Sequence, residues 1–164
     1  MENEILKIIN RETKALDSQD VDLFLSIFHK DMVWPWPSCN KDHDPIKWEL
    51  KLGKFDYKRW KDIYVKFFKE NKLVHNKRKI IKIQVSKEGD GAIAVIDIDT
   101  LWENLVTKKR SYWFGRVSKV YAKVSGEWKL TMHIRCINVL NKKRQILTRT
   151  KINLQNFFRS IQNR

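Results

Sequence analysis

A chain of 164 residues with 42% hydrophobic and 12% aromatic residues, seven of them Trp, has the composition of one folded domain and not of a disordered segment. Its formal charge of +15 makes nucleic acid a thinkable partner, but 24 of the 34 basic residues are Lys scattered along the chain, which favours a solvated surface over a binding stripe. No apolar run approaches the ~20 residues that span a bilayer, and the start Met1-Glu2-Asn3-Glu4 is acidic where a secretory signal is basic, so the expected compartment is the cytoplasm.

The first helix is predicted over Glu4–Leu16. Ile5, Ile8, Ile9, Ala15 and Leu16 fall near one face of a 3.6-residue period, with Glu12 intruding on it. Asp17-Ser18-Gln19-Asp20 breaks that helix, and Asp17 or Ser18 is placed to cap the next. The second helix is predicted over about Asp20–His29, with Val21, Phe24, Leu25 and Phe28 on one side. Met32-Val33-Trp34-Pro35-Trp36-Pro37 then reads as a short edge strand or extended segment, because Pro cannot donate to a ladder. Alternation puts Trp34 and Trp36 on the same side. Residues 38–53 read as an irregular polar loop holding Asp42, His43, Asp44 and the lone apolar Trp48.

The third helix has the clearest pattern. Asp56 suits the N-cap, and Trp60, Ile63, Tyr64, Phe67 and Phe68 form an apolar stripe at i, i+3, i+4, i+7 and i+8. Four strands follow, at roughly Lys79–Val85, Ala92–Glu103, Arg110–Val124 and Trp128–Val139, separated by short turns rich in Gly, Asp, Asn and Ser. Connections this short predict an antiparallel meander, since parallel neighbours need a crossover of about a dozen residues. The tail, Asn141 to Arg164, carries seven Lys or Arg and no acidic residue. Leu154, Phe157, Phe158 and Ile161 give it the pattern of a basic amphipathic helix. The chain therefore divides into a domain at 1–140 and an extension at 141–164.

This order of elements resembles the nuclear transport factor 2-like superfamily. So do Ala15-Leu16-Asp17-Ser18-Gln19-Asp20-Val21-Asp22 leading into Ile27-Phe28-His29-Lys30-Asp31-Met32-Val33, Gly89-Asp90-Gly91-Ala92, and Gly126-Glu127-Trp128. That superfamily includes ketosteroid isomerases, polyketide cyclases and scytalone dehydratase. The resemblance covers about residues 4 to 140. It implies an α+β fold in which three N-terminal helices pack on a curved antiparallel sheet of four to six strands. It also implies a cone with an apolar cavity, and often a homodimer through the outer sheet face. Ketosteroid isomerases carry an Asp base where this chain has Trp36, and an oxyanion-donating Tyr near Glu12, so that arrangement is not reproduced.

The resemblance to the dehydratases places His75 where their catalytic His begins the sheet. Asp97 and Asp99 share one face of a strand and could serve as acid or base if that face is the cavity, or pair with Arg110 or Arg116 if it is the outer one. His133 and Arg135 alternate with Met132 and Ile134, and are open to either face. Trp34, Trp36, Tyr64, Trp102, Trp113 and His133 are the candidate ligand-binding set, an aromatic wall for a small apolar molecule. Cys39 and Cys136 match no metal or redox spacing and read as reduced packing residues. No phosphate loop, Ser–His–Asp signature or zinc spacing occurs, so no metal or cofactor is expected. Two functions stand: a pocket protein, with lyase or isomerase chemistry at His75 and Asp97 or Asp99, and a non-catalytic dimeric module that uses the basic tail.

Overall fold

The computed structural model describes residues 1–37 and 45–136. Cys39, Asp42, His43 and the basic tail lie outside the described residues, as does the domain boundary at 140. Helix α1 spans Glu2–Asp17 and α2 spans Val21–Leu25. Strand β1 is Phe28–Val33, followed by β2 at Trp36–Pro37 and β3 at Trp48–Glu49. Helix α3 is Tyr57–Glu70, and the long strands are β4 (Asn71–Val85), β5 (Gly91–Asn104), β6 (Arg110–Val124) and β7 (Glu127–Cys136). The main sheet has the order β1-β7-β6-β5-β4. Its four long strands form the antiparallel meander that the short turns predict.

Three elements differ from the sequence expectation. The second helix stops at Leu25, and Phe28 to Val33 becomes a strand parallel to β7 at the sheet edge. The Leu130 amide donates to the Ile27 carbonyl at 2.8 Å, so ladder bonds replace another turn of helix. Its cap is Asp20, whose carboxylate accepts from the Leu23 amide at 2.9 Å; neither Asp17 nor Ser18 takes that role. Trp48 is no isolated apolar residue, since Trp48–Glu49 pairs with Trp36–Pro37 in a small ladder of its own. Strand β4 begins eight residues before the expected Lys79, directly at the end of α3. Its early inward positions Asn76 and Arg78 are polar, which hides the alternation that a strand facing an apolar core would show.

The stripe on α3 is buried as its spacing predicts. Phe67 and Phe68 meet Trp102 of β5 with ring centroids 4.8 and 5.6 Å apart, and Phe67 meets Trp113 of β6 at 5.4 Å. Ile5, Ile8, Ile9, Ala15 and Leu16 of α1 join the same core. The sheet bends over these helices. Two register shifts interrupt β4, and Gly115 in the middle of β6 has φ +136°. Bulges and strand glycines are the usual means of curving a sheet.

Candidate functional site

Alternation along the strands decides which residues can reach the hollow. On β5, Ile96, Ile98, Thr100 and Trp102 point to the helices, so Asp97 and Asp99 point away from them. Register carries the same division across the sheet: Arg78 lies opposite Ile98 on β4, and Trp113 opposite Thr100 on β6. Beyond that, Lys119 of β6 pairs with His133 of β7.

Between this inner face and the helices lies a cavity of about 70 Å³. That is several times the roughly 10–15 Å³ that one water occupies on the same measure. Most of its lining is apolar, from Leu16, Phe24, Ile63 and Phe67 on the helices to Ile98 and Val117 on the sheet. Trp34, Trp36, Tyr64, Trp113 and His133 also line it. Trp34 stacks on Trp36 at 5.1 Å with the rings 8° from parallel, and on His133 at 4.0 Å and 17°. These stacks tie the segment after β1 to the last strand and form an aromatic wall. Trp102, the remaining member of the expected set, is fully buried among Phe67, Phe68 and Trp113 and is not part of the lining.

The polar lining is Glu12, Arg78, Thr100 and His133. Glu12, on the buried face of α1, is hydrogen-bonded to the ammonium of Lys119, which is wholly enclosed on β6. The Arg78 guanidinium stands near the other carboxylate oxygen, Nη1 to Oε1 at 3.7 Å. Burial pushes the Glu12 carboxyl up, but the charges of Lys119 and Arg78 and the Lys119 hydrogen bond outweigh it and hold the group below its usual range. Burial, with a smaller push from the Arg78 charge, brings the Lys119 ammonium down to about 8 against the opposing pull of Glu12. Burial and the Glu12 carboxylate raise the phenols of Tyr64 and Tyr121, so both stay protonated at neutral pH. The Thr100 hydroxyl is satisfied by donating to Asn76 Oδ1 at 2.9 Å.

The expected catalytic residues lie elsewhere. His75 Nε2 and Asp99 Oδ1 are 2.8 Å apart, so the structure does bring these two together. They meet on the outer face of the sheet, each side chain about 30% exposed, and neither lines the cavity. Asp97 is on that outer face as well, held by Arg116 through Nε–Oδ1 and Nη2–Oδ2 contacts of 2.7 and 3.1 Å. Arg78, Lys119 and Thr100 are not among the residues the sequence singles out, and Glu12 is marked there only as an intrusion on an apolar stripe and as the position near which ketosteroid isomerases carry their Tyr. A charge on an otherwise apolar helix face was the available signal. Among the described residues there is no group of three or more His, Cys, Asp or Glu side chains that could hold a metal ion, and no helix is long and apolar enough to cross a membrane.

Three helices packed on a curved five-stranded sheet make the nuclear transport factor 2-like fold, and this chain adopts it. Solved structures of that fold match most of its length. A ketosteroid isomerase-like protein from Erwinia carotovora atroseptica superposes with a TM-score of 0.59 at 13% identity, over 80% of this chain and 91% of that one. A nuclear transport factor 2-like protein of unknown function from Prochlorococcus sp. NATL2A gives 0.59 at 16%, over 87% and 97%. Another nuclear transport factor 2-like protein, from Cytophaga hutchinsonii, gives 0.60 at 14%, over 84% and 98%. No protein-family model matches the sequence, and a search of curated proteins finds no significant match.

Proposed function

We propose that this protein binds a small, mainly apolar molecule in the cavity between α3 and the sheet. The observation that carries the reading is the aromatic wall of Trp34, Trp36 and Trp113 around a hollow with few polar groups. Concave sites with apolar and aromatic walls and a few placed polar side chains are the usual form of small-molecule sites. A core with no ligand to hold would be expected to close over such a space, because unfilled volume forfeits dispersion contacts. The test is titration with small aromatic compounds, indole and 1-naphthol among them, followed by tryptophan fluorescence and thermal shift. One saturable site per chain is expected, lost in Ile98→Trp, which fills the hollow. Binding that survives Ile98→Trp unchanged, or no saturable binding by any compound, would end this reading.

Acid–base chemistry at His75 and Asp99 would need those groups beside the bound molecule, and their place on the outer face gives them no part in the cavity. His75→Ala and Asp99→Asn are therefore expected to leave ligand affinity within about twofold of the parent.

We infer further that two copies associate through the outer face of the sheet. Ile93, Val95, Phe114, Val120, Met132 and Ile134 share that face by strand alternation, and Ile93 is 37% exposed. Light scattering after gel filtration is expected to give twice the chain mass, and Phe114→Glu to give a folded monomer. A monomeric parent at 50–100 µM, a concentration chosen to favour association, would refute it.

A further inference from the structure

The cavity carries an imbalance that an apolar ligand alone does not relieve. Among the described side chains around it, one carboxylate, Glu12, faces two cations, Arg78 and Lys119, so one positive charge is left over. The Lys119 ammonium is already engaged with Glu12 and has no exposed surface. The excess therefore falls on Arg78, which lines the cavity with its side chain nine-tenths buried. Its contact with Glu12 is an ion-pair distance of 3.7 Å, too long for a hydrogen bond. Its Nε is enclosed and donates to no described residue. A guanidinium is always charged and presents five N–H donors in a planar fork, and leaving such donors buried and unmade is costly.

Donors are in excess too. The indole N–H of Trp113, also on the cavity wall, is enclosed and has no partner among the described residues. Indole nitrogen and guanidinium can donate and cannot accept. Acceptors on the wall are fewer: Glu12 already accepts from Lys119 through one carboxylate oxygen, and the Thr100 hydroxyl, its proton given to Asn76, offers only its oxygen. The wall thus asks its occupant for acceptor atoms and one negative charge.

We propose, resting on the cavity reading above, that the molecule bound there is a small aromatic or apolar monocarboxylate, its carboxylate on Arg78 and its apolar part against Trp34, Trp36 and Trp113. A carboxylate matches the charge left over by the cluster and can accept two parallel bonds from one guanidinium. It brings acceptors to a wall that has mainly donors. Its ring fills the part of the hollow that has no polar group.

Isothermal titration calorimetry at pH 7 compares benzoate, phenylacetate and 1-naphthylacetate with their neutral amides, which differ little in shape. The expected result is that the best acid binds at least tenfold tighter than its amide. Arg78→Gln is expected to remove that preference, weakening the acid at least tenfold while leaving the amide within twofold. The acid–amide comparison on the unaltered protein needs no variant, so the proposal stays testable if Arg78→Gln does not fold. Amides that bind as well as acids would overturn the carboxylate assignment and leave the apolar pocket standing. If neither acid nor amide binds, the assignment fails, and binding of indole or 1-naphthol then decides the pocket on its own.

Discussion

Glu12 is buried, Lys119 is fully enclosed, and the two are joined across 107 residues of sequence. Taking either partner away leaves the other charge in an apolar interior, which costs about 3–5 kcal/mol, whereas replacing both by apolar residues of similar size is often neutral. Glu12→Gln alone is therefore expected to lower unfolding free energy by about 3 kcal/mol or more. The double variant Glu12→Gln, Lys119→Met removes the enclosed ammonium as well and should recover part of that loss, while Arg78 stays without its carboxylate. Urea denaturation of the three proteins checks both statements. The same pair sets an acid limit. Because the Glu12 carboxyl titrates lower when folded than when unfolded, the unfolded chain binds more protons as pH falls below about 4.5. Stability contributed by Glu12 is complete above that pH and lost below it, so the fall in stability on acidification should be shallower in Glu12→Gln. Glu12 was visible in the sequence as a charge on an apolar helix face, although its partner was not. Lys119 sits in Val117-Ser118-Lys119-Val120-Tyr121, where its inward direction depends on a strand register that no local pattern reveals.

At the scale of elements, the helices were legible where their own residues define them. Asp56 caps α3 by accepting from the Arg59 amide at 2.7 Å, and Asp56→Ala is expected to cost about 1 kcal/mol in thermal or chemical denaturation. The stripe from Trp60 to Phe68 is buried for the reason its spacing gives, since one face must meet the sheet. The second helix is shorter than the spacing predicts, because Phe28 continues the helical spacing of Phe24 and Leu25. Only the distant β7 makes it a strand. The start of β4 is hidden because Asn76 and Arg78 put polar groups where a core strand would show apolar ones. Curvature was equally out of reach, as nothing local marks Gly115 as a residue with φ +136°. Any residue with a Cβ is strained there, at about 1–3 kcal/mol. Gly115→Val should lower the melting temperature without changing the oligomeric state.

For the molecule as a whole, order of elements and turn chemistry were enough to give the fold, while the two faces of the sheet were not separable from sequence. Ile93-Ala94-Val95-Ile96 is apolar on both faces, so alternation could not say which side of β5 the two aspartates occupy. The answer, that Asp97 and Asp99 look outward, came from α3 and α1 covering the other side. It leaves Arg78, and not the acidic pair, on the cavity wall.

Phe28–Val33 leaves the ribosome early, yet among the described residues its ladder partner in the main sheet is a distant strand, Glu127–Cys136. Pairings between such remote segments form late, because a long loop must be closed before they return any stabilisation. Nascent chains halted before Glu127 should then hold the early segment as a sticky, protease-sensitive stretch in need of a chaperone. Release of about ten more residues should abruptly confer resistance.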